Sequence, residues 1–354
     1  MPLDAFRGLT IAAMVLVNNP GTWDAVHAPL RHAAWHGLTP TDVVFPFFLF
    51  IVGLAIPASL AGRSPVGAFL RVVRRAVVIF ALGLALNAVP AFDWSTLRIP
   101  GVLQRIAVCY LLAAALYLVV SWRAQSVVAT VLLLSYWGAL TLIAVPGHGA
   151  GDLSPEGNVA AWVDRAVLGP HIWQVSRVYD PEGILSTVPA LATVLFGVLA
   201  GQWILSHRPP RTITIGLLLA GGLGITLGVE WGNWLPVNKA LWTSSYAVLT
   251  AGIALLVFAV CYWAVEVCDW RRWTTPLAVF GVNALAVFFL STLAAQAMTL
   301  VRVGGVSVQQ LVYQRAFAPW AAPMNASLAY AVVYVLVWWA LMWPPYRLGL
   351  RLRA

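Results

Sequence analysis

Between Asn18 and Phe50 the chain places three histidines (His27, His32, His36), two tryptophans (Trp23, Trp35) and two carboxylates (Asp24, Asp42), flanked on both sides by long apolar runs. Imidazole, with an ordinary pKa near ~6.5, is the side chain best suited to take and return a proton around neutral pH. Ionisable groups held against hydrocarbon lose solvation and hydrogen-bond partners, so they concentrate where they line a cavity or a pathway. Proton transfer at this cluster is therefore the first chemistry to test. Each histidine also has a plain interfacial reading, and for His27 and His36 that reading leads.

The elements around the cluster are those of a membrane protein. Hydrophobic residues make up 61% of the 354 positions and charged residues 9%, against roughly 25% charged in a soluble domain. Spans need about 20 mostly apolar residues. Ten segments qualify: 5–20, 41–61, 70–89, 101–120, 126–146, 185–206, 212–229, 242–265, 275–300 and 324–343. No alternating barrel pattern is visible. The expectation is an all-α integral membrane protein, a polytopic bundle of about ten transmembrane helices forming one domain over 1–354, whose first span inserts the chain uncleaved.

The net charge of +9 has a topological explanation. The N-terminal end and the loops near 62–75, 121–125, 207–211, 266–273 and 344–354, which share one face, hold 13 of the 21 basic residues, Arg351 and Arg353 included, against Asp4, Glu266 and Asp269. Retention of positive residues inside puts both termini in the cytoplasm and removes the case for a nucleic-acid partner. Cys109, Cys261 and Cys268 are too scattered for a disulfide framework or a metal site.

Several segments are placed to position chemistry. Asp4 and Arg7 lie one helical turn apart and can pair. Thr39-Pro40-Thr41-Asp42 reads as a helix start, so Asp42 is either a cap or a substrate contact. Pro100 opens the span in which Gln104 and Arg105 follow; an arginine there either snorkels to the interface or serves function. The outside segment 147–184 is long enough to be a cap or a binding loop. It predicts an amphipathic helix over 158–168 and ends in Tyr179-Asp180-Pro181-Glu182-Gly183. Trp23, Trp35, Trp94, Trp231, Trp234 and Trp242 gather on the outer face beside carboxylates and amides. Indoles anchor at membrane edges, and flat apolar faces beside hydrogen-bonding groups also suit a sugar.

The blocks LDAFRG with MVLVNN (3–19), RHAAWHGLTPTDVVFPFFLFIVG (31–53), RIPGVLQR (98–105), YDPEGIL (179–185) and PVNKALWTSSY (236–246) resemble, in order, the heparan-α-glucosaminide N-acetyltransferase family and its bacterial relatives. Members are integral membrane enzymes that carry an acetyl group from acetyl-CoA across the membrane to a terminal glucosamine. The resemblance implies the bacterial inner membrane, acetyl-CoA as donor substrate, an amino-sugar acceptor, no metal and a homodimer. It places the family's catalytic histidine at His32, in Arg31-His32-Ala33-Ala34-Trp35, and its acetyl-proximal asparagine at Asn18. Set against the lysosomal enzyme, the chain is expected to lack a long N-terminal luminal domain, and it carries His36 where that enzyme has Asn.

Acyl transfer to an amine needs a base, dipoles for an oxyanion and anchorage for the CoA phosphates. His32 is the candidate base or, alternatively, an acetyl carrier. Asn18 is the candidate oxyanion donor, or else a helix cap. Asp180 or Glu182 would orient His32 or bind the sugar ammonium, with capping of the sixth span as the alternative. Asp42, Trp35, Lys239 and Trp242 complete the acceptor side. Arg7, Arg75, Gln104 and Arg105 are the donor-binding candidates, Arg71 and Arg74 being explained by topology. Some relatives are labelled transporters, so an amino-sugar or N-acetylglucosamine transporter without acyl transfer is the competing reading.

Overall fold

In a computed structural model the described residues are 1–89 and 91–350; Arg351 and Arg353 lie outside them. Each of the ten expected spans lies on a helix or a helix pair. In chain order these are α1 (Pro2–Asn18), α2 (Val44–Leu60), α3 (Pro65–Ala88), α4 (Val102–Val119) and α5 (Trp122–Leu142), then α6 (Val159–Leu168) within the long loop. There follow α7 (Thr187–Ile204), α8 (Pro210–Gly232), α9 (Ser244–Tyr262), α10 (Thr274–Val282), α11 (Ala284–Leu300), α12 (Val308–Ala316) and α13 (Pro323–Arg347). The only strands among the described residues are two short antiparallel hairpins, Ala144–Val145 with Gly149–Ala150 and Arg302–Val303 with Val306–Ser307.

The chain is thus an all-α polytopic membrane protein. Among the described residues, seven helices are long and apolar enough to cross a membrane, and α10 with α11 makes an eighth if the bent pair is one span. The expected ten included two others. α1 has 17 residues, which at 1.5 Å each reach only about 25 Å. α3 carries Arg71, Arg74 and Arg75 in its first half. The expected span 126–146 instead begins at Trp122, because the Ser121 side chain caps it by accepting the Ala124 N–H at 3.4 Å.

The chain divides into two compact units. The first comprises Met1–Ala33, Thr39–Phe45 and everything from Ala264 onward. Here α1 and α10 pack with backbones in contact: a Cβ at Gly8 would lie 1.9 Å from Leu277 O, and one at Gly281 1.9 Å from Asp4 O. The 275–300 segment is broken, α10 and α11 meeting at 74°. Asn283 leaves helical geometry at the break, and its Nδ2 donates to Leu350 O at 3.1 Å. Arg7 Nη1 donates to Gly281 O at 3.1 Å, satisfying a carbonyl at the end of α10. It also meets Asp4 Oδ1 at 3.3 Å, the pair expected from their spacing.

The second unit comprises Ala34–Leu38 and Pro46–Trp263. Its core is built where α7 meets α2, α4, α5 and α9, with Tyr136, Trp242, Tyr246 and Phe258 fully buried. Lipid offers apolar helices no hydrophobic drive to associate, so close backbone packing does that work. A Cβ at Gly53 would sit 2.0 Å from Val194 O, and one at Gly197 2.1 Å from Phe50 O. Gly197→Val should therefore force α2 and α7 apart. The expected outcome is a fall in the detergent melting temperature corresponding to about 1–3 kcal/mol or more, with loss of a single size-exclusion peak.

Candidate active site

In the first unit, Pro40 opens a 3₁₀ turn, Pro40–Val43, that leads into α2. Fixed φ and a missing N–H suit proline to that first position. Thr39 is the N-cap residue, and its backbone N–H donates to Asp42 Oδ2 at 3.0 Å. The same oxygen accepts the Ala33 N–H at 3.1 Å, while Asp42 Oδ1 lies 2.7 Å from His32 Nδ1. The Asp42 side chain is 1% exposed and that of His32 46%. The capping reading of Asp42 is realised, and the same carboxylate has a contact that neither reading named: it also fixes the His32 imidazole.

Asn18 ends α1 with its side chain exposed. The C-cap of α1 is the next residue, Asn19, whose Nδ2 donates to Val15 O at 2.7 Å. His27 Nε2 pairs with Asn325 Oδ1 at 3.0 Å on the surface of this unit, in keeping with its plain reading.

In the second unit, residues 34–38 are held from two sides. Trp35 Nε1 donates to Leu153 O at 2.8 Å, and its ring meets Tyr179 edge-on at 5.0 Å. The Gly37 N–H donates to Val237 O at 2.8 Å, and Asn238 Nδ2 to His36 Nδ1 at 3.3 Å. Partial burial holds His36 below the usual histidine pKa. Tyr179 continues to Trp173 at 6.2 Å, which makes an aromatic shelf from Trp35 to Trp173.

Asp180 and Glu182 are engaged by a guanidinium of their own unit. Arg98 grips both: Nε to Asp180 Oδ2 at 2.9 Å, Nη2 to Asp180 Oδ1 at 2.5 Å, and Nη2 to Glu182 Oε2 at 2.6 Å. The Asp180 carboxylate also accepts the N–H groups of Trp173 at 3.0 Å and Glu182 at 2.9 Å. Burial works against the Arg98 charge, but the two carboxylates outweigh it and hold the guanidinium more firmly protonated than usual. Arg98 stands inside one of the sequence blocks without a role there, and the sequence leaves the acids it neutralises between orienting His32, binding the sugar ammonium and capping the sixth span.

One turn into α4, Gln104 and Arg105 are buried but face different neighbours. The Gln104 amide fills a notch left by Gly83 and Gly101, its Nε2 without a hydrogen-bond partner among the described residues. Arg105 Nη2 donates to Ser186 Oγ and, at 3.2 Å, to Gly183 O, while Nε and Nη1 have no hydrogen-bond partner among the described residues. Its guanidinium lies 5.2 Å from the Trp242 ring centroid. Trp242, 1% exposed, holds φ at +51° and donates Nε1–H to Thr193 Oγ1 at 3.2 Å. A bulky residue in left-handed backbone is strained and must be held by its surroundings. Here the Trp242 N–H bonds Lys239 O at 3.0 Å, and Asn238 Oδ1 takes the Leu241 N–H at 2.9 Å. Trp242 and Arg105, expected on opposite substrates, are therefore neighbours, and Lys239 is half-buried in the same loop. Arg75 is exposed on α3, over the Tyr110 ring at 5.5 Å.

The predicted 158–168 helix is α6, capped by Asn158, whose Oδ1 takes the Ala161 N–H at 2.7 Å. Asp164 lies on its buried stripe with Ala161 and Leu168. That placement, a carboxylate in an apolar i, i+3, i+7 row, was the available signal for a residue the sequence reading passed over. Asp164 Oδ1 accepts the Ile184 N–H at 2.8 Å. Burial pushes its pKa up to about 6, the Ile184 N–H opposing and the Asp180 charge assisting. Between about pH 4 and pH 6 the folded chain holds a proton that the unfolded chain releases, so stability falls as pH rises through that window. Asp164→Asn keeps the acceptor and removes the titration. It should flatten the melting temperature over that range and raise it at pH 7.5 by the equivalent of at most about 2–3 kcal/mol.

Comparison with known proteins gives these geometries a context. Residues 1–217 match the family model "Heparan-alpha-glucosaminide N-acetyltransferase, catalytic". The chain is 29% identical to the mouse heparan-alpha-glucosaminide N-acetyltransferase over 348 residues and 30% identical to the human one over 349. Each match covers 81% of this chain and 52% or 51% of the relative, so the chain spans about half the length of these curated relatives. With His32, Asp42, Arg98, Arg105, Asp164 and Asp180 all inside the matched 217 residues, the chain belongs to the heparan-alpha-glucosaminide N-acetyltransferase family.

Proposed function

We propose that the chain is a membrane-bound acyltransferase, one catalytic domain that moves an acetyl group from cytoplasmic acetyl-CoA to the amine of a glucosamine-type sugar on the extracytoplasmic side of a bacterial inner membrane. The observation that carries this reading is the His32–Asp42 pair at 2.7 Å, the constellation of an oriented general base. Asp42 accepting the Nδ1 proton leaves the lone pair of the neutral ring on Nε2. That nitrogen takes a proton from the sugar amine as the amine nitrogen attacks the thioester carbonyl. The C–S bond then breaks and the proton passes to the departing CoA sulfur. Asn18 supplies an amide donor for the oxyanion.

In the second unit, the shelf from Trp35 to Trp173 offers flat apolar faces to the acceptor, and the loop of Lys239 and Trp242 supplies polar contacts beside it. Arg105 and Gln104, buried with unpartnered N–H groups, offer hydrogen bonds to the donor, since buried polar groups without partners are rare. Arg75 and Arg7 lie on helices that start from the arginine-rich face. Arg75, exposed, is the better candidate for the CoA phosphates, because Arg7 also supports the α10 break.

Purified protein in detergent, given radiolabelled acetyl-CoA and glucosamine, should place label in the sugar. Protein in liposomes that carries labelled N-acetylglucosamine across the bilayer, with no transfer of label in detergent, would replace this reading with that of a transporter.

A further inference from the structure

The segment 180–186 is held at three points by charged side chains from elsewhere in the second unit. Arg98 binds Asp180 and Glu182, Asp164 takes the Ile184 N–H, and Arg105 binds Gly183 O and Ser186 Oγ. The backbone of Arg98 is itself fixed: Asn87 Nδ2 donates to Arg98 O at 2.8 Å and to Pro100 O at 2.9 Å, and the Ile99 N–H donates to His171 O at 3.1 Å. Among the described residues, the hydrogen-bond acceptors of Arg105 come from a segment that Arg98 holds at Asp180 and Glu182.

We propose that Arg98 is a positioning residue: it acts through Asp180, Glu182 and the 183–186 backbone to set the Arg105 guanidinium, whose remaining N–H groups meet the substrate. A bidentate guanidinium–carboxylate pair fixes two planar groups in distance and angle, which a lysine cannot reproduce. The two carboxylates gripped by Arg98 are thus scaffold for a cation rather than contacts for one. The kinetic half of this inference rests on the acetyltransferase reading; the structural half does not.

Two measurements on the whole chain in detergent test it. Hydrogen–deuterium exchange is compared among wild type, Arg98→Lys and the milder Glu182→Gln, which keeps the Arg98–Asp180 pair and serves if Arg98→Lys does not fold. Exchange at amides 183–187 should rise at least about threefold in whichever variants fold, as it would for any segment losing a tertiary tether. The second measurement is a kinetic cycle with Arg105→Lys, using Arg98→Lys or, if it does not fold, Glu182→Gln. The Arg98 or Glu182 variant should shift the same substrate's KM as Arg105→Lys does, and the double variant should depart from the product of the single effects by at least about threefold. A merely structural Arg98 would lower the active fraction and leave KM unchanged.

Exchange confined to 171–182 together with multiplying kinetic effects would overturn the proposal. If wild type transfers no acetyl group, the acetyltransferase reading falls, while the exchange pattern still decides whether Arg98 sets the Arg105 segment.

Discussion

His32→Ala is expected to lower kcat for acetyl transfer to glucosamine by about 10²–10⁴, the range over which a positioned general base contributes. The KM for acetyl-CoA should change little, because the imidazole is assigned to the acceptor's proton and not to the nucleotide. A control for folding is needed. The substitution removes a hydrogen-bond partner of Asp42 Oδ1, and a hydrogen bond to a charged group contributes about 1.5–3 kcal/mol. The Ala33 and Thr39 N–H groups still hold Oδ2, so the turn before α2 should survive. Acetyl-CoA protection in a thermal-shift assay should persist in the variant. A kcat within a few-fold of wild type would remove His32 from the chemistry, and label recovered on His32 in the wild type would make it an acetyl carrier instead of a base.

Much of the architecture is written in hydropathy, since a membrane leaves few choices for a chain that must satisfy every backbone group internally. The ten apolar runs all became helical, and the amphipathic helix in the long loop formed with Asn158 as its cap. What hydropathy does not encode is where a run breaks. The 275–300 run carries no charge, and Asn283 is one of several uncharged polar residues within it. At the 74° bend Asn283 bonds Leu350 and Gly281 bonds Arg7, partners 67 and 274 residues away in the chain.

The site divides along the same line. The Thr39–Asp42 turn is local and was legible; that its cap also holds His32, ten residues upstream, is a tertiary fact that both readings of Asp42 allowed. Carboxylates at a span's mouth look the same in sequence whether a substrate or an arginine neutralises them. Arg98, 82 and 84 residues before its partners, decided that for Asp180 and Glu182. Charge in an apolar context identified where polar interactions would be concentrated. It did not identify which of them would be internal.

Asp42→Asn should lower kcat by up to about 10⁴ while leaving the fold nearly intact, and the reason lies in the direction of two hydrogen bonds. Asp42 Oδ2 accepts the N–H groups of Ala33 at 3.1 Å and Thr39 at 3.0 Å. An asparagine must turn its carbonyl toward those donors, because its NH₂ would repel them. Its NH₂ then faces His32 Nδ1, 2.7 Å away in the parent. The imidazole answers by accepting there, which moves its own proton to Nε2 and leaves that nitrogen without the lone pair a base requires. The same tautomer error costs about 10⁴ in kcat in serine proteases. Since the cap bonds are kept, the melting temperature should fall less than in Asp42→Ala, which loses about 1–2 kcal/mol of capping as well. The decisive comparison is kcat for the two variants at equal folded fraction. Asn and Ala equally inactive, with Asn the more stable, is the pattern expected of a carboxylate that sets the ring's protonation. An asparagine variant that turns over at the parent rate would mean that Asp42 only caps the turn.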